Sequence, residues 1–462
     1  MFVGRAKEKA ALNSFYEKAK ERVACVYGRT GIGKTTLLKE FAKDKKTIFF
    51  TAYATTDEAE LEILAAAIGV KKPVYTLENL LDEITEIGRR EPVLVIIDHY
   101  PNFVKANAKY DKILHSYVTE QWVRMPVKLI LCGDSYLAME KKVYGKKAMW
   151  KDALSLAIEV EPMNFFDSRS FFPDAKAEDA LMYYGMTGGI PYALTNLVDD
   201  VEGSMMRLFL REEDDVTLLP EKTLATELRE LSYYNRMLAT LASGKSRVNA
   251  ISAEVGKPKD IVVPYMNTLM AIGVVKKENP VTEKTNRKKT RYSIKNSYDR
   301  FWYQYIVPNM ALYYTGNFSK LVSDRILPKL TDFRQYVFTN MCREYLEKES
   351  GKDTLPFVVN EIGNWWENDE ERHTTDGFDL VALGENEGKS AIIFARCYYT
   401  ERPIEIATLK ELIELTKHAK HKAEGDIFYL VFSSCGFHEN TQTVAATIKN
   451  IMLISLSDIC EK

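Results

Sequence analysis

Three features of the chain predict an α/β protein built around a P-loop NTPase core. The first is Gly28-Arg29-Thr30-Gly31-Ile32-Gly33-Lys34-Thr35, a complete Walker A spacing entered from the apolar run Val23-Ala24-Cys25-Val26-Tyr27. The second is the alternation of short apolar runs with helical segments over about the first 165 residues, the pattern of a parallel sheet covered by helices. The third lies over residues 224–294, where three helical stretches precede two short strands, the order of a winged helix-turn-helix.

Strands are expected over residues 23–27, 47–53, 93–98, 127–132 and 156–160. In the loop after the first strand, glycines let backbone N–H groups curl around the α- and β-phosphates of a nucleotide. Lys34 reaches the β/γ-phosphates, and the Thr35 hydroxyl is placed to hold Mg2+. The following helix, from Thr36 to residue 42, adds its positive N-terminal end. A nucleotide of the ATP type is thus expected to bind at Gly28 through Thr36. An amphipathic helix over 78–90 leads to Val93-Leu94-Val95-Ile96-Ile97, which ends in Asp98 at the Walker B position, a second candidate for supporting Mg2+.

From about residue 165 to 211 the pattern turns helical, interrupted by Gly185-Met186-Thr187-Gly188-Gly189-Ile190-Pro191, a helix stop followed by a helix start. Helices over 224–243, 247–256 and 259–273, then strands over 274–277 and 291–294, make up the expected winged helix. An aromatic connector, Phe301-Trp302-Tyr303-Gln304-Tyr305, follows. Beyond about residue 330 a separate α/β unit has strands over 379–383, 390–395 and 427–432. The expected domains are 1–164 (core), 165–219 (helical lid), 220–300 (winged helix), 301–329 (connector) and 330–462 (C-terminal α/β).

The 462 residues are too many for one core and fit about three. Lys plus Arg (63) nearly balance Asp plus Glu (65), so no global basic field points to nucleic acid, and any such contact must come from a local patch. The six cysteines show no C-x-x-C and no framework spacing. With no leader ahead of Phe2 and no apolar stretch near the ~20 residues that span a bilayer, the expectation is a cytoplasmic protein without membrane contact. His418 and His421 share a helix face, but no further ligands complete a metal set.

Taken together the motifs resemble the archaeal and bacterial AAA-type P-loop ATPases that carry a winged helix and a C-terminal PD-(D/E)XK nuclease-like domain. The likeness rests on Phe2-Val3-Gly4-Arg5 with Glu8, similar to an opening box near the adenine, and on Asp98-His99-Tyr100-Pro101. It rests equally on Leu129-Ile130-Leu131-Cys132-Gly133-Asp134-Ser135, on the lid motif Thr187-Gly188-Gly189-Ile190-Pro191, and on Arg300-Phe301-Trp302-Tyr303. The resemblance implies a restriction-endonuclease-like fold for the C-terminal domain.

It also exposes departures. In such ATPases the residue after the Walker B aspartate is a glutamate that orients or deprotonates the attacking water. Here it is His99, so slow or lost hydrolysis is expected. Asp134, where a Ser or Asn is usual, is a second candidate for the missing carboxylate. In the segment that holds the family's candidate arginine finger, Lys151 keeps a positive charge without the bidentate fork. His99, Asp134 and Lys151 therefore occupy the catalytic positions.

The basic wing Lys284, Arg287, Lys288, Lys289 and Arg291 is a candidate clamp for DNA phosphates. A protein partner or self-association is the other option. In the C-terminal domain Asp379 holds the metal-aspartate position, but the usual Glu and Lys of the next strand are Arg396 and Tyr398, and the helix glutamate is Thr339. An arginine in a ligand position repels the cation, so nuclease activity is not expected. The leading expectation is a nucleotide-controlled switch with impaired ATP hydrolysis. The alternative is a non-hydrolysing scaffold that binds DNA or protein through its winged helix and inactive nuclease-like domain.

Overall fold

Strands that are apolar at every position need cover on both faces, and only helices packed on either side of a parallel sheet supply it. The computed structural model, which describes residues 2–71, 75–211, 214–369, 374–418 and 425–462, has such a sheet at the N-terminus. Its strands are β1 (Val23–Tyr27), β2 (Thr47–Thr51), β3 (Val93–Asp98), β4 (Val127–Gly133) and β5 (Leu154–Glu159). They run parallel in the order β2-β3-β4-β1-β5. All six residues of β3 are buried.

The helix Leu77–Arg90 shows how cover is made. Leu77, Leu80, Leu81 and Ile84 fall on one face and are buried, Thr76 caps its start, and Arg89 and Arg90 favour its negative end. Sequence order places β2 to one side of β1 and β5 to the other. The crevice at the carboxyl end of β1 is therefore the switch point where α/β sheets take ligands.

The chain divides into two compact units. One comprises Met1–Met163, Ile190–Tyr192 and Leu218–Leu231; the other comprises Asn164–Gly189, Ala193–Thr217 and Ser232–Lys462. The first thus holds the parallel sheet together with two short pieces of the expected lid and winged-helix regions.

In the second unit the helices Val248–Val255 and Lys259–Ala271 precede an antiparallel hairpin, β6 (Val275–Glu278) with β7 (Arg291–Ile294). A mixed sheet follows: β8 (Val358–Asp369), β9 (Thr374–Asn386), β10 (Lys389–Tyr398), β11 (Asp426–Ser433) and β12 (Ile451–Ser455), in the order β12-β11-β10-β9-β8. β8 to β10 are antiparallel, and β10 to β12 are parallel. The helix Leu330–Glu349 buries Phe333, Val337, Phe338, Met341, Tyr345 and Leu346.

Several expectations change. The single helix over 224–243 is two, Leu219–Glu227 and Leu231–Ala242, because the backbone at Leu228 is extended (φ −125°, ψ 150°). β8 and β12 were not anticipated. Register shifts between Val359 and Glu361 and between Gly363 and Trp365 destroy the period of two in β8. The aromatic connector is helical, through Ser297–Phe301 and Trp302–Ile306, and buries Phe301, Trp302, Tyr303 and Tyr305. Among the described residues no helix is long and apolar enough to cross a membrane. His421 lies outside the described residues.

Candidate functional site

The phosphate loop leaves β1 at Gly28, whose φ of +152° and distance of 2.6 Å from a would-be Cβ to the Val160 carbonyl leave no room for a side chain. Gly33, with φ +87°, turns the chain into the helix Lys34–Ala42. The Lys34 ammonium is buried and donates to the Gly28 and Arg29 carbonyls, each at 2.9 Å. Burial lowers its pKa, against the opposing pull of Cys132, Asp134 and Asp98. The loop is also braced from outside. The Arg5 guanidinium donates to the Ile32 carbonyl at 2.9 Å, the Glu161 carbonyl at 2.6 Å and the Glu8 carboxylate at 3.0 Å, and the Tyr192 N–H donates to the Gly31 carbonyl at 3.1 Å. The opening box thus acts on the loop's backbone.

Thr35 and Asp98 meet directly: the Thr35 hydroxyl donates to Asp98 Oδ2 at 2.6 Å, and Asp98 is 1 % exposed. The neighbouring His99 has a left-handed backbone (φ +55°) that starts the helix Tyr100–Ala106 and aims its ring at the adjacent strand. Its Nδ1 lies 3.7 Å from Asp134 Oδ2, too long for a hydrogen bond but close for a charge pair. The same Asp134 oxygen accepts the Thr30 hydroxyl of the phosphate loop at 3.2 Å. Asp134 raises the pKa of His99 against the effect of burial. Burial pushes the Asp134 carboxyl up, but His99 and Lys34 outweigh it and hold it at about 2.

Lys151 is not brought to this cluster. It is exposed, in the turn that enters β5, and β5 begins beside Val23, the first residue of β1, whereas the phosphate loop leaves the last. A strand of five residues, about 17 Å, separates the two ends.

Sequence reasoning missed Glu227 and Thr223. Glu227 Oε2 accepts the Ser135 hydroxyl at 2.9 Å and the Leu137 N–H at 3.2 Å, while Oε1 accepts the Tyr136 N–H. Thr223 accepts from the Arg29 guanidinium at 3.3 Å. Both sit some ninety residues or more from their partners in a stretch without a motif, so spacing carried no signal of them.

In the second unit Asp379 Oδ2 accepts the Cys397 N–H at 2.8 Å and lies 3.7 Å from Arg396 Nε. Arg396 also donates to the Gly377 carbonyl, and Thr339 spends its hydroxyl on the Gln335 carbonyl at 2.9 Å. Burial raises the Asp379 pKa, with the Cys397 N–H and Arg396 opposing. Among the described residues no group of three His, Cys, Asp or Glu is placed to hold a metal. These residues do not fit a nuclease metal centre.

The basic wing is largely spent within its own unit. Lys284 pairs with Glu361 at 2.6 Å, Lys289 with Glu283 at 2.5 Å, and Arg291 stacks 4.4 Å over the Trp366 ring. Arg287 and Lys288 remain exposed. Val281, between the hairpin strands, is buried with Trp365 and Phe378 and donates its N–H to the Asn364 carbonyl at 2.9 Å. A Cβ on Gly363 would stand 2.6 Å from that of Val281.

Comparison with known proteins agrees with the geometry of the first unit. Residues 2–197 match a family described as an ATPase domain predominantly from Archaea, and residues 302–412 match a family of archaeal and bacterial proteins of unknown function. An uncharacterized protein of Methanocaldococcus jannaschii is 27 % identical over 400 residues, which cover 85 % of this chain and 87 % of that protein. Among solved structures, a Walker-type ATPase of Pyrococcus abyssi aligns with a TM-score of 0.49 at 17 % identity, covering 66 % of this chain and 96 % of that one. The ORC2 protein of Aeropyrum pernix aligns at 0.44 and 14 % identity, covering 68 % and 96 %.

Proposed function

We propose, on the premise that residues 2–197 carry an archaeal-type P-loop ATPase domain for which ATP binding is implied, that this chain is a slow, Mg2+-dependent ATPase working as a nucleotide-controlled switch. The observation that carries the reading is the Asp134 carboxylate standing between the Thr30 hydroxyl and the His99 ring. ATP phosphates take the place of the Gly28 and Arg29 carbonyls on Lys34, exchanging neutral acceptors for charged ones. Thr35 and Asp98 offer the hard oxygen donors that suit Mg2+, and their 2.6 Å separation fits a shared ion or its bound water. When bound, that ion would neutralise phosphate charge. Asp134 turns the Nδ1–H of His99 toward itself and leaves Nε2 to accept the proton of a water. This base lacks the charge of a glutamate beside the metal, hence the slow turnover.

We read the three helices and hairpin as a winged helix, and the C-terminal sheet as a nuclease-like fold without nuclease chemistry. With three of its five cations engaged in its own unit, the wing is a poor phosphate clamp. That favours a protein partner over DNA for this region.

The test is ATP turnover by the wild type, Lys34→Ala and His99→Glu. Slow wild-type turnover that vanishes in Lys34→Ala and rises in His99→Glu supports the reading. Rapid turnover that falls in His99→Glu overturns it.

A further inference from the structure

The helix Leu219–Glu227 touches the phosphate loop near its start and the Asp134 turn at its end. Leu219 lies 3.6 Å from where a Cβ on Gly31 would stand, and Thr223 accepts from Arg29. At the end of this helix, Glu227 gathers three donors from consecutive residues: the Ser135 hydroxyl, the Tyr136 N–H and the Leu137 N–H. Asp134 immediately precedes them.

Helix capping alone does not account for this. The Ser135 hydroxyl already accepts the Ala138 N–H at 3.1 Å and so caps Tyr136–Met139 locally. Glu227 adds the Tyr136 and Leu137 N–H groups that Ser135 leaves, but an N-cap contributes only about 1 kcal/mol, which stands against the cost of shielding a carboxylate here. The second cap is also electrostatically costly. Burial raises the pKa of Glu227, the three donors work against that, and the nearby Asp134 carboxylate raises it further. Two carboxylates held near each other in a shielded turn oppose the fold, so stability alone does not explain the arrangement.

We infer that Glu227 is a positioning residue for hydrolysis: by holding Ser135 to Leu137 it fixes the Asp134 carboxylate between Thr30 and His99, and makes turnover conditional on this helix being seated on the loop. The inference rests on the hydrolytic reading of His99 and Asp134 proposed above. Arg29 and Thr223 tie the same helix to the phosphate loop, so a displacement of the helix moves the loop and the Asp134 turn together. Nucleotide binding by Lys34 and Thr35 needs no contact from Glu227, and this separates affinity from turnover.

The full chain is tested as wild type, Glu227→Ala, Glu227→Gln and Ser135→Ala, with ATP affinity from a fluorescent nucleotide analogue and kcat from phosphate release. Glu227→Ala is expected to lower kcat about tenfold or more while the ATP Kd stays within about threefold, because a misplacement near 1 Å can cost about a hundredfold. Glu227→Gln, which keeps one acceptor oxygen, falls between. Ser135→Ala, which spares both N–H bonds, loses less. Should Glu227→Ala fail to bind nucleotide, Glu227→Gln with intact binding carries the comparison. A lowered melting temperature with unchanged kcat in both Glu227 variants marks a purely structural cap and overturns the inference alone. A wild type that binds ATP without turning it over removes the hydrolytic reading, and the inference with it.

Discussion

Asp98 and Asp379 are both strand aspartates, the first buried and the second about one-third exposed, and their surroundings are opposite. Asp98 faces the Thr35 hydroxyl at 2.6 Å, a neutral partner that an incoming cation can share or displace. Asp379 faces the Arg396 guanidinium at 3.7 Å and the Cys397 N–H at 2.8 Å. A guanidinium is a permanent charge anchored by its own chain, so a metal entering beside it meets both repulsion and an occupied carboxylate. The difference lies in whether the partner is exchangeable. On the proposed reading, the first partner can give way to a ligand, whereas the second is a fixed side chain.

The largest expected effect separates the two sites outright. Lys34→Ala removes the side chain proposed to reach the β/γ-phosphates, and ATP turnover is expected to fall about a hundredfold or more. Asp379→Ala is expected to leave turnover unchanged, and neither variant nor the wild type cleaves duplex DNA with Mg2+. Cleavage that depends on Asp379 would break the contrast. The next effect concerns the base: His99→Glu restores a carboxylate beside Asp98 and is expected to raise kcat about tenfold, the lower end of what general-base catalysis contributes. Phosphate release under saturating ATP reads it, and a fall in kcat would mean that His99 is itself the better base beside Asp134.

Why one site was legible in the sequence and the other only by analogy follows from the same physics. The loop from Gly28 to Thr35 is continuous, its glycines are demanded by backbone geometry, and its strand and helix neighbours are local, so all eight residues could be read in order. Asp98 announced itself by ending an all-apolar strand. The tie of His99 to Asp134 depends on two strand ends that only the sheet order makes adjacent. Glu227 reaches Ser135 from a helix that periodicity ran together with the next, because nothing local marks Leu228 as the break. β8 was illegible for a related reason: two register shifts hide its alternation. The wing looked like a free basic loop because two of its partners, the Glu361 carboxylate for Lys284 and the Trp366 ring for Arg291, come from a strand about seventy-five residues later, while Glu283 for Lys289 is local.

A third carboxylate, itself shielded, sharpens the comparison by facing hydrogen-bond donors where Asp379 faces a guanidinium. Glu344, on the helix Leu330–Glu349, accepts the Phe165 N–H at 2.7 Å and the Tyr184 hydroxyl. Burial, with smaller contributions from Glu347 and Asp167 against those two donors, pushes it from 4.5 up to about 7. Its folded-state pKa lies above the unfolded value, so its proton favours the folded state. Stability is then greatest below about pH 4.5 and declines as pH rises toward 7, by on the order of 3 kcal/mol. Urea midpoints between pH 5 and 8 should show this decline in the wild type and not in Glu344→Gln. A parallel decline in both would place the titration elsewhere.

The smallest effect returns to Asp379. Asp379→Asn keeps an acceptor for the Cys397 N–H but leaves Arg396 without its counter-charge, and because the pair is about one-third exposed the expected loss is only about 1 kcal/mol. The decisive variant is Arg396→Glu, which exchanges the fixed cation for a second carboxylate. If the guanidinium is what closes this site, Mg2+ raises the melting temperature of Arg396→Glu and leaves that of the wild type unchanged. An equal response in the two would mean that Asp379 is excluded from metal binding by its hydrogen bond to the Cys397 backbone, with Arg396 a bystander.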